Sequence, residues 1–190
     1  MCSSDLDSNG DGISDKRTVF AEFLTFPNGI MPWKGGWIVT CAPDVFYMKD
    51  TDGDGRADQK TTLLTGYSLA GSTQLRVSHP MLGLDGWVHL TSGLMGSRVS
   101  APAHPERPPL DVVDSKFHPE TLEIQAVDSR AQFGHSFDDF GRRFVCFNRV
   151  QVQHVVAPSS YWRRNPLLAF SDRKSTRLNS SHLVISYAVF

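Results

Sequence analysis

The chain has 190 residues, of which 40% are hydrophobic and 21% are charged, and its formal net charge is -1. This balance is typical of a globular protein and gives no electrostatic reason to expect nucleic acid or an anionic membrane as a partner. No stretch of the sequence is long and apolar enough to span a bilayer.

The two ends of the chain can be encoded by one DNA string read on opposite strands. The bases GATCGGAAGAGCACAC encode Asp172 to Thr176 and the first base of an Arg177 codon, and their reverse complement reads Met-Cys-Ser-Ser-Asp from a GTG start, as the chain begins. The string resembles a short-read sequencing adapter, and appended sequence of this kind is excluded from fold reasoning. We therefore expect residues 1–6 and 172–190 to be adapter translation, and residues 7–171 to be a natural segment that lacks both true ends of its gene product.

Two acidic loops share one pattern, DSNGDGISD from Asp7 and DTDGDGRAD from Asp50, and they start 50 − 7 = 43 residues apart. Oxygen-bearing side chains at alternate positions, with Gly at the sixth, match the first nine positions of a calcium loop. The twelfth positions hold Thr18 and Thr61 instead of the bidentate Glu of an EF-hand, and no flanking helices are evident. The pattern predicts structural Ca²⁺ sites between strands; the simpler alternative is a pair of solvated Asp/Gly turns. The predicted ligands are Asp7, Asn9, Asp11 and Asp15 in the first loop, and Asp50, Asp52, Asp54 and Asp58 in the second.

A second recurring unit consists of two short apolar runs around a glycine turn. It occurs as GIMPWKGGWIVTC, MLGLDGWVHLTSG and HSFDDFGRRFVCFN, with Gly36, Gly86 and Gly141 between the runs. Asp-Gly between apolar runs indicates a hairpin, because Gly accepts the positive φ that such turns require. The alternation in VQVQHVV, residues 150–156, predicts a further strand.

The sequence contains no amphipathic stretch that predicts a helix of useful length. The segment APAHPERPPL, residues 101–110, predicts a loop, because its prolines are excluded from helix interiors and central strands. The 43-residue spacing falls in the ~40–45 residue range of a propeller blade. We therefore predict an all-β fold, a partial β-propeller of about three to four blades.

Three cysteines are present, and Cys2 lies in the suspected adapter translation. Cys41 and Cys146 remain, without a CxxC or CxxCH motif. Either two buried free thiols or a disulfide pair is compatible with the sequence, and free thiols are the commoner case.

The segments DTDGDGRADQKTTLLTGY, FPNGIMPWKGGWIVTCAPDVFYMKD, LGLDGWVHLTSG and QFGHSFDDFGRRFVCFNRVQVQHVV together resemble the putative membrane-bound dehydrogenase family, also called PVC-type haem-binding CxxCH proteins. The resemblance covers nearly all of residues 7–171. It implies a propeller similar to the six-bladed propeller of soluble quinoprotein glucose and sorbosone dehydrogenases. It further implies a periplasmic or otherwise extracytoplasmic protein that oxidises a carbohydrate or related alcohol with pyrroloquinoline quinone (PQQ). Electrons would pass to a haem c domain, or another cytochrome-type acceptor, outside this segment.

The resemblance also directs attention to particular residues. The general base of the quinoprotein dehydrogenases is a His about eight residues before the Gly of a GPDG-type turn, and the matching position here is Leu75, which cannot accept a proton. His79 lies nearby and replaces that base only if the loop differs, and Arg76 is a candidate partner of an anionic quinone or acidic sugar. The further candidates are His135 and His154 as catalytic residues, and Asn148 and Arg149 as cofactor-binding residues. For each of these residues alone, a surface or packing role is the simpler interpretation.

Two functions therefore stand as alternatives. The first is a fragment of a quinoprotein-like sugar or alcohol dehydrogenase propeller. The second is a non-catalytic propeller that Ca²⁺ stabilises and that binds glycans or a protein partner, which the leucine at position 75 favours. In either case the 190-residue chain itself is expected to be inactive, because about half a propeller does not enclose a cofactor at its axis.

Overall fold

The computed structural model describes residues 2–7, 9–148, 150–156 and 176–177, and these residues form an all-β structure of antiparallel sheets. Its helical content is one 3₁₀ turn at Thr73–Leu75. Among the same residues, no helix has the length and apolar character that crossing a membrane requires. The all-β prediction is confirmed. Of the suspected terminal segments, residues 172–175 and 178–190 lie outside the described part.

The first two strands, β1 (Cys2–Leu6) and β2 (Lys16–Ala21), form a two-stranded sheet whose connection is the first acidic loop. The next four strands form a four-stranded sheet in chain order. They are β3 (Gly29–Trp33), β4 (Gly36–Cys41), β5 (Asp44–Lys49) and β6 (Gln59–Leu64). The second acidic loop joins β5 to β6, so both loops occupy the same kind of position, a hairpin between two antiparallel strands. The prediction that they lie between strands is confirmed.

The second four-stranded sheet has the order β7-β8-β11-β12, and a separate two-stranded hairpin, β9 with β10, interrupts it between β8 and β11. The strands are β7 (Ser78–Leu82), β8 (Val88–Thr91), β9 (Ser97–Val99), β10 (Leu110–Val112), β11 (Asp114–Phe117) and β12 (Ile124–Val127). Residues 101–109 form the predicted loop, and Leu110 already belongs to β10.

The third four-stranded sheet again follows chain order, with β13 (Gly134–Phe137), β14 (Arg143–Phe147), β15 (Val150–Val155) and β16 (Thr176–Arg177). The strand predicted over residues 150–156 is confirmed as β15. The three glycine hairpins are also confirmed, as the connections β3–β4, β7–β8 and β13–β14. In the first of them, Lys34 and Gly35 have φ of 45° and 74° and form the turn, whereas Gly36 is already the first residue of β4.

The first strands of the three larger sheets face one another. Strand β7 contacts β3 on one side and β13 on the other. These strands begin at Gly29, Ser78 and Gly134, so successive sheets start further apart than the 43 residues that separate the acidic loops. The inserted hairpin β9–β10 accounts for part of this difference. We call β3, β7 and β13 the inner strands.

Two glycines permit the close approach of the inner strands. A Cβ atom at Gly29 would lie 2.6 Å from Pro80 Cδ and 2.7 Å from the backbone nitrogen of His79. On the other side of β7, a Cβ atom at Gly134 would lie 3.2 Å from His79 Nδ1. Carbon atoms do not approach backbone at such distances without displacing it, so any larger residue at Gly29 pushes β7 away from β3.

We expect Gly29→Ala to lower the free energy of unfolding by about 1–3 kcal/mol, the usual cost of overpacking. Gly96→Ala is the matched control, since a Cβ atom there would meet nothing within 4 Å. Urea denaturation of the two variants gives the comparison. Equal stability of both variants would show that the contact between β3 and β7 is looser than the structure indicates.

The interfaces between the sheets differ in chemistry. An apolar core joins the first and second larger sheets, with Ile38, Val45, Leu64, Val88 and Phe117 all fully buried. A smaller apolar cluster, including Val39, Phe46 and Met48, packs the β1–β2 sheet against the first larger sheet. Cys41 belongs to this smaller cluster, and both Cys41 and Cys146 are free thiols. The contact between the second and third sheets is instead polar, and it leads to the candidate site.

Candidate functional site

The candidate site lies at the end of the sheets where the inner strands begin. The contacts of Gly29 and Gly134 with His79 and Pro80 place the starts of β3, β7 and β13 together. The loops that lead into β7 and β13 open at this end, as does the turn between β14 and β15, because antiparallel strands alternate in direction. The acidic loop between β5 and β6 therefore lies at the opposite end of its sheet.

His79 is the exposed residue at the centre of this end. Its φ is 54°, in the left-handed region that residues other than glycine seldom occupy. The register of β7 with β8 shifts between Ser78 and Met81, so His79 lies in a bulge of the inner strand. Such backbone strain persists only where the surroundings fix it, and it is concentrated at functional sites.

His135, on the inner strand β13, lies directly beside His79. The two ring centroids are 5.2 Å apart in an edge-to-face arrangement. His135 is only 6% exposed, and Arg143 Nη2 lies 3.4 Å from its Nδ1. The pKa of His135 is lowered to about 2, mainly by burial and secondly by the positive charge of Arg143. The ring is therefore neutral at physiological pH.

A third imidazole, which the sequence reasoning missed, belongs to the same cluster. The ring centroid of His89, on β8, lies 6.2 Å from that of His135, and the ring of Phe137 packs against both. The pKa of His89 is lowered to about 4, mainly by burial and secondly by the positive charge of Arg143. The neutral His89 ring therefore makes a hydrogen bond with Asp85 rather than an ion pair. Asp85 also accepts a hydrogen bond of 2.8 Å from Lys116 Nζ.

A buried charge pair, also unanticipated, adjoins the histidines. Arg143 Nη2 lies 3.7 Å from Asp114 Oδ2, and the two side chains are 5% and 0% exposed. Asp114 accepts further hydrogen bonds from the Ser129 hydroxyl and from the backbone nitrogens of Ser92 and Ala131. Burial raises the pKa of Asp114, and Arg143 and these donors oppose that rise. The pair joins the second sheet to the third, because Asp114 begins β11 and Arg143 begins β14.

The other predicted site residues are more dispersed. Arg76 precedes β7 at the same end as His79, where its guanidinium lies 4.8 Å from the centroid of the Phe26 ring. Asn148 directly follows β14 at this end too, and its backbone nitrogen donates to Gln132 Oε1 at 3.1 Å. His154 instead stacks on Phe144 across the outer pair β14–β15, at 4.8 Å between centroids. Arg149 lies outside the described residues.

Leu75, at the position of the expected base, ends the 3₁₀ turn before β7. It is partly buried, and a Cβ atom at Gly93 would lie 2.2 Å from its carbonyl carbon. The backbone of Leu75 thus lies closely against the loop that contains Gly93. Leu75 precedes the exposed His79 by four residues. The structure brings together His79 and His135 from the predicted set and adds His89, Asp114 and Arg143.

The second acidic loop brings three of its four predicted ligands together. Carboxylate oxygens of Asp50, Asp52 and Asp54 all lie within 4.8 Å of one another. Backbone hydrogen bonds from Gly53 and Gly55 lower the pKa of Asp50, so that carboxylate is ionised at neutral pH. The fourth predicted ligand, Asp58, is turned toward Thr51, whose backbone nitrogen and hydroxyl both donate to its carboxylate.

The first acidic loop repeats this turn geometry. Asp7 accepts hydrogen bonds from the backbone nitrogens of Gly10 and Gly12 at 2.6 and 2.7 Å, as Asp50 does from Gly53 and Gly55. The amide of Asn9 donates to Asp11 Oδ2 at 3.2 Å. Asp15 follows this turn and directly precedes β2. The two loops thus share the same turn geometry. The converging carboxylates, those of Asp50, Asp52 and Asp54, belong to the second loop.

The second loop also contacts the neighbouring sheet. The backbone nitrogen of Ala57 donates to the carbonyl of Phe20 at 2.8 Å, and a Cβ atom at Gly55 would lie 3.1 Å from Thr18 Cγ2. Both Thr18 and Phe20 belong to β2. A cation held by this loop would therefore stabilise the contact between the β1–β2 sheet and the first larger sheet.

Comparison with known proteins identifies one family. Residues 4–188 match the family described as Domain of unknown function (DUF7133). No curated protein and no solved structure matches the chain. Because the match spans nearly the whole chain, the chain belongs to this family.

Proposed function

We propose that the chain is part of the β-propeller domain of an extracytoplasmic quinoprotein-like dehydrogenase that oxidises a sugar or related alcohol. In this proposal each larger sheet is a blade, and the inner strands β3, β7 and β13 line the axis. Three sheets with the same antiparallel order, each with its first strand innermost, support the architecture. The resemblance of the sequence to quinoprotein dehydrogenases supports the reaction and the location.

The observation that carries the proposal is the position of His79. It is exposed, it lies in a bulge of an inner strand at positive φ, and it stands at the end where the loops into β7 and β13 open. His79 is thus suited to accept the hydroxyl proton of an alcohol substrate, the role that Leu75 cannot perform. The neutral ring of His135 beside it adds no second positive charge once His79 is protonated.

Arg76 is suited to bind the cofactor. Its Nε is buried and has no hydrogen-bond partner among the described residues, and its guanidinium is held in place over Phe26. A fixed, incompletely paired guanidinium suits a carboxylate of an anionic quinone. Such a quinone, when bound, supplies the acceptor for the two electrons of the alcohol, and a haem c domain elsewhere in the parent protein would take them onward.

The proposal is tested by turnover of the parent protein with added quinone, Ca²⁺ and a dye acceptor, over a panel of aldoses and sugar alcohols. We expect His79→Gln to lower kcat by about 10²–10⁴-fold, the usual contribution of a general base. His104→Gln, a substitution in the loop before β10, is the matched control and should leave kcat unchanged. Turnover that survives His79→Gln would exclude His79 as the base.

A second candidate function has its own supporting observation, the convergence of Asp50, Asp52 and Asp54. In this alternative the chain is a non-catalytic propeller that Ca²⁺ stabilises and that binds glycans or a protein partner through the same end of the inner strands. Absence of turnover in the parent protein, together with glycan binding that His79→Gln weakens, would favour it. In both candidates the calcium has a structural role, because its loop lies at the opposite end of the sheet from His79.

We expect Ca²⁺ to raise the melting temperature of the protein and a chelator to lower it, since a ligand that binds only the folded state stabilises it by mass action. At a free Ca²⁺ concentration of 100 Kd the gain is about 2.7 kcal/mol. Scanning calorimetry of the unmodified protein and of the double variant Asp52→Asn, Asp54→Asn provides the test. The double variant should lose the calcium-dependent shift, and Asp111→Asn, which alters an exposed carboxylate on β10, should keep it. A melting temperature that millimolar Ca²⁺ leaves unchanged would contradict a stabilising site.

A further inference from the structure

The polar layer between the second and third sheets contains an unusual concentration of unpaired buried atoms. In the described part of the chain, five buried side-chain nitrogen or oxygen atoms have no hydrogen-bond partner. Four of them belong to this layer: His89 Nδ1, His135 Nε2, Ser92 Oγ and Arg143 Nε. Buried polar groups are almost always hydrogen-bonded, so unpaired nitrogens on the two neighbouring rings of His89 and His135 indicate a bound partner.

The contacts of His89 fix which of its ring nitrogens carries the proton. Its Nε2 lies 3.2 Å from both carboxylate oxygens of Asp85, which is ionised and can only accept. Lys116 holds Asp85 in that state: burial acts to raise the pKa of Asp85, but the hydrogen bonds of Lys116 and His89 lower it below its ordinary value. His89 Nε2 therefore carries the hydrogen, and the buried Nδ1 is a bare acceptor.

The contacts of His135 fix its tautomer in the same way. Arg143 has only donors, and its Nη2 lies 3.4 Å from His135 Nδ1. Nδ1 is therefore the accepting nitrogen, and the neutral ring carries its hydrogen on Nε2. That Nε2 is a buried donor without a partner among the described residues, whereas His89 Nδ1 is a buried acceptor without one.

We propose that the layer binds an internal water, which accepts from His135 Nε2–H and donates to His89 Nδ1. The histidine ring centroids are 6.2 Å apart, and two hydrogen bonds of about 2.9 Å through one oxygen span up to roughly 5.8 Å between nitrogens. Ser92 Oγ and Arg143 Nε do not enter this bridge, and Arg143 faces the opposite nitrogen of His135. The two ring nitrogens supply one donor and one acceptor, which are two of the two to four hydrogen bonds that a buried water makes.

A transition metal is a poorer occupant of this layer. It would need a lone pair from each histidine, but the only bare nitrogen of His135 already faces Arg143, and its other nitrogen is protonated. The permanent positive charge of Arg143 also repels a cation. The proposed water completes a path of hydrogen bonds from Asp85 through His89 and His135 to Arg143, and the 3.7 Å ion pair of Arg143 with Asp114 continues the connection between the second and third sheets. The inference does not depend on His79 being catalytic.

The test is long-range ¹H–¹⁵N spectroscopy of the chain with ¹⁵N-labelled histidine at neutral pH. We expect both His89 and His135 in the Nε2–H form, and a cross-relaxation signal between the His135 Nε2 proton and a long-lived water. An Nδ1–H form at either residue would overturn the proposal. So would a direct scalar coupling between His135 Nε2 and His89 Nδ1, or an Nε2 proton without a water signal.

Variants of Asp85 add a second measurement that does not require removing a histidine. Asp85→Asn keeps an acceptor oxygen and should preserve the Nε2–H form of His89, whereas Asp85→Leu should lose that preference and produce a mixture of tautomers with a weaker water signal. Asp111→Asn, an exposed carboxylate change on β10, is the control. A single tautomer and an unchanged water signal in Asp85→Leu would show that Asp85 does not define the site.

Discussion

Replacement of Arg143 by methionine is expected to lower the free energy of unfolding by about 3–5 kcal/mol. The substitution keeps an unbranched apolar stem but removes the positive charge from beside Asp114, whose side chain is fully buried. Breaking a buried ion pair on one side is costly because the remaining charge is neither solvated nor neutralised. The three other hydrogen bonds to Asp114 reduce this cost without abolishing it.

The neighbouring residue provides a matched control. Arg142 carries the same charge, but its side chain is 56% exposed and lies 3.6 Å from Asp138 at the surface. Arg142→Met should therefore lower the free energy of unfolding by less than about 1 kcal/mol, as for most exposed ion pairs. Urea denaturation of both variants measures the difference. Equal losses would contradict the assignment of Arg143 to a buried layer.

The double variant Arg143→Met, Asp114→Asn separates loss of charge balance from loss of packing. Removing both charges should recover a large part of the stability lost in Arg143→Met, because no isolated carboxylate remains. A double variant as unstable as the single one would assign the loss to the packing and hydrogen bonds of Arg143 with Leu90 and Ser129 instead.

The parts of the fold that the sequence predicts are those that local chemistry determines. The β7–β8 turn at Asp85 and Gly86 is such a case, because positive φ is required within a few residues and Gly86 supplies it. The acidic loops are another, since Asp7 and Asp50 accept hydrogen bonds from backbone nitrogens within their own turns. These features need no knowledge of the rest of the chain.

The histidine cluster, in contrast, depends on contacts that are distant in sequence. His79, His89 and His135 lie on β7, β8 and β13, and only the packing of the second sheet on the third brings His135 to the other two. His89 has no local signal, because WVHLTS is an ordinary strand sequence in which a buried imidazole is unremarkable. The bulge that exposes His79 depends in turn on glycines in β3 and β13. No spacing rule within β7 predicts it.

The stability of the protein is expected to rise steeply with pH between about pH 4 and pH 6.5. His89 and His135 have folded-state pKa values of about 4 and about 2, and the ordinary value is 6.5. In this window the unfolded chain binds a proton at each histidine while the folded chain binds neither. Stability therefore increases with pH, and it falls as the pH drops below 6.5.

The slope follows from the number of protons. Each histidine contributes up to about 1.4 kcal/mol per pH unit within its window, and half of that slope at pH 6.5, so lowering the pH from 6.5 to 5 should cost roughly 3 kcal/mol from the two together. The charges that face these rings, Arg143 on β14 and Lys116 on β11, both disfavour a protonated imidazole. Asp85 favours it, but burial and the two cations prevail at His89.

The measurement is the free energy of unfolding by urea at several pH values for three variants. His135→Gln should lose about half of the slope between pH 5 and 6.5, because one of the two buried titrating groups is gone. His104→Gln removes a histidine outside the polar layer and should keep the slope of the unmodified protein. Comparing slopes within this set cancels the opposing contribution of Asp114, whose raised pKa is common to all three. An unchanged slope in His135→Gln would mean that His135 is accessible to protons in the folded state, which its burial between the second and third sheets does not allow.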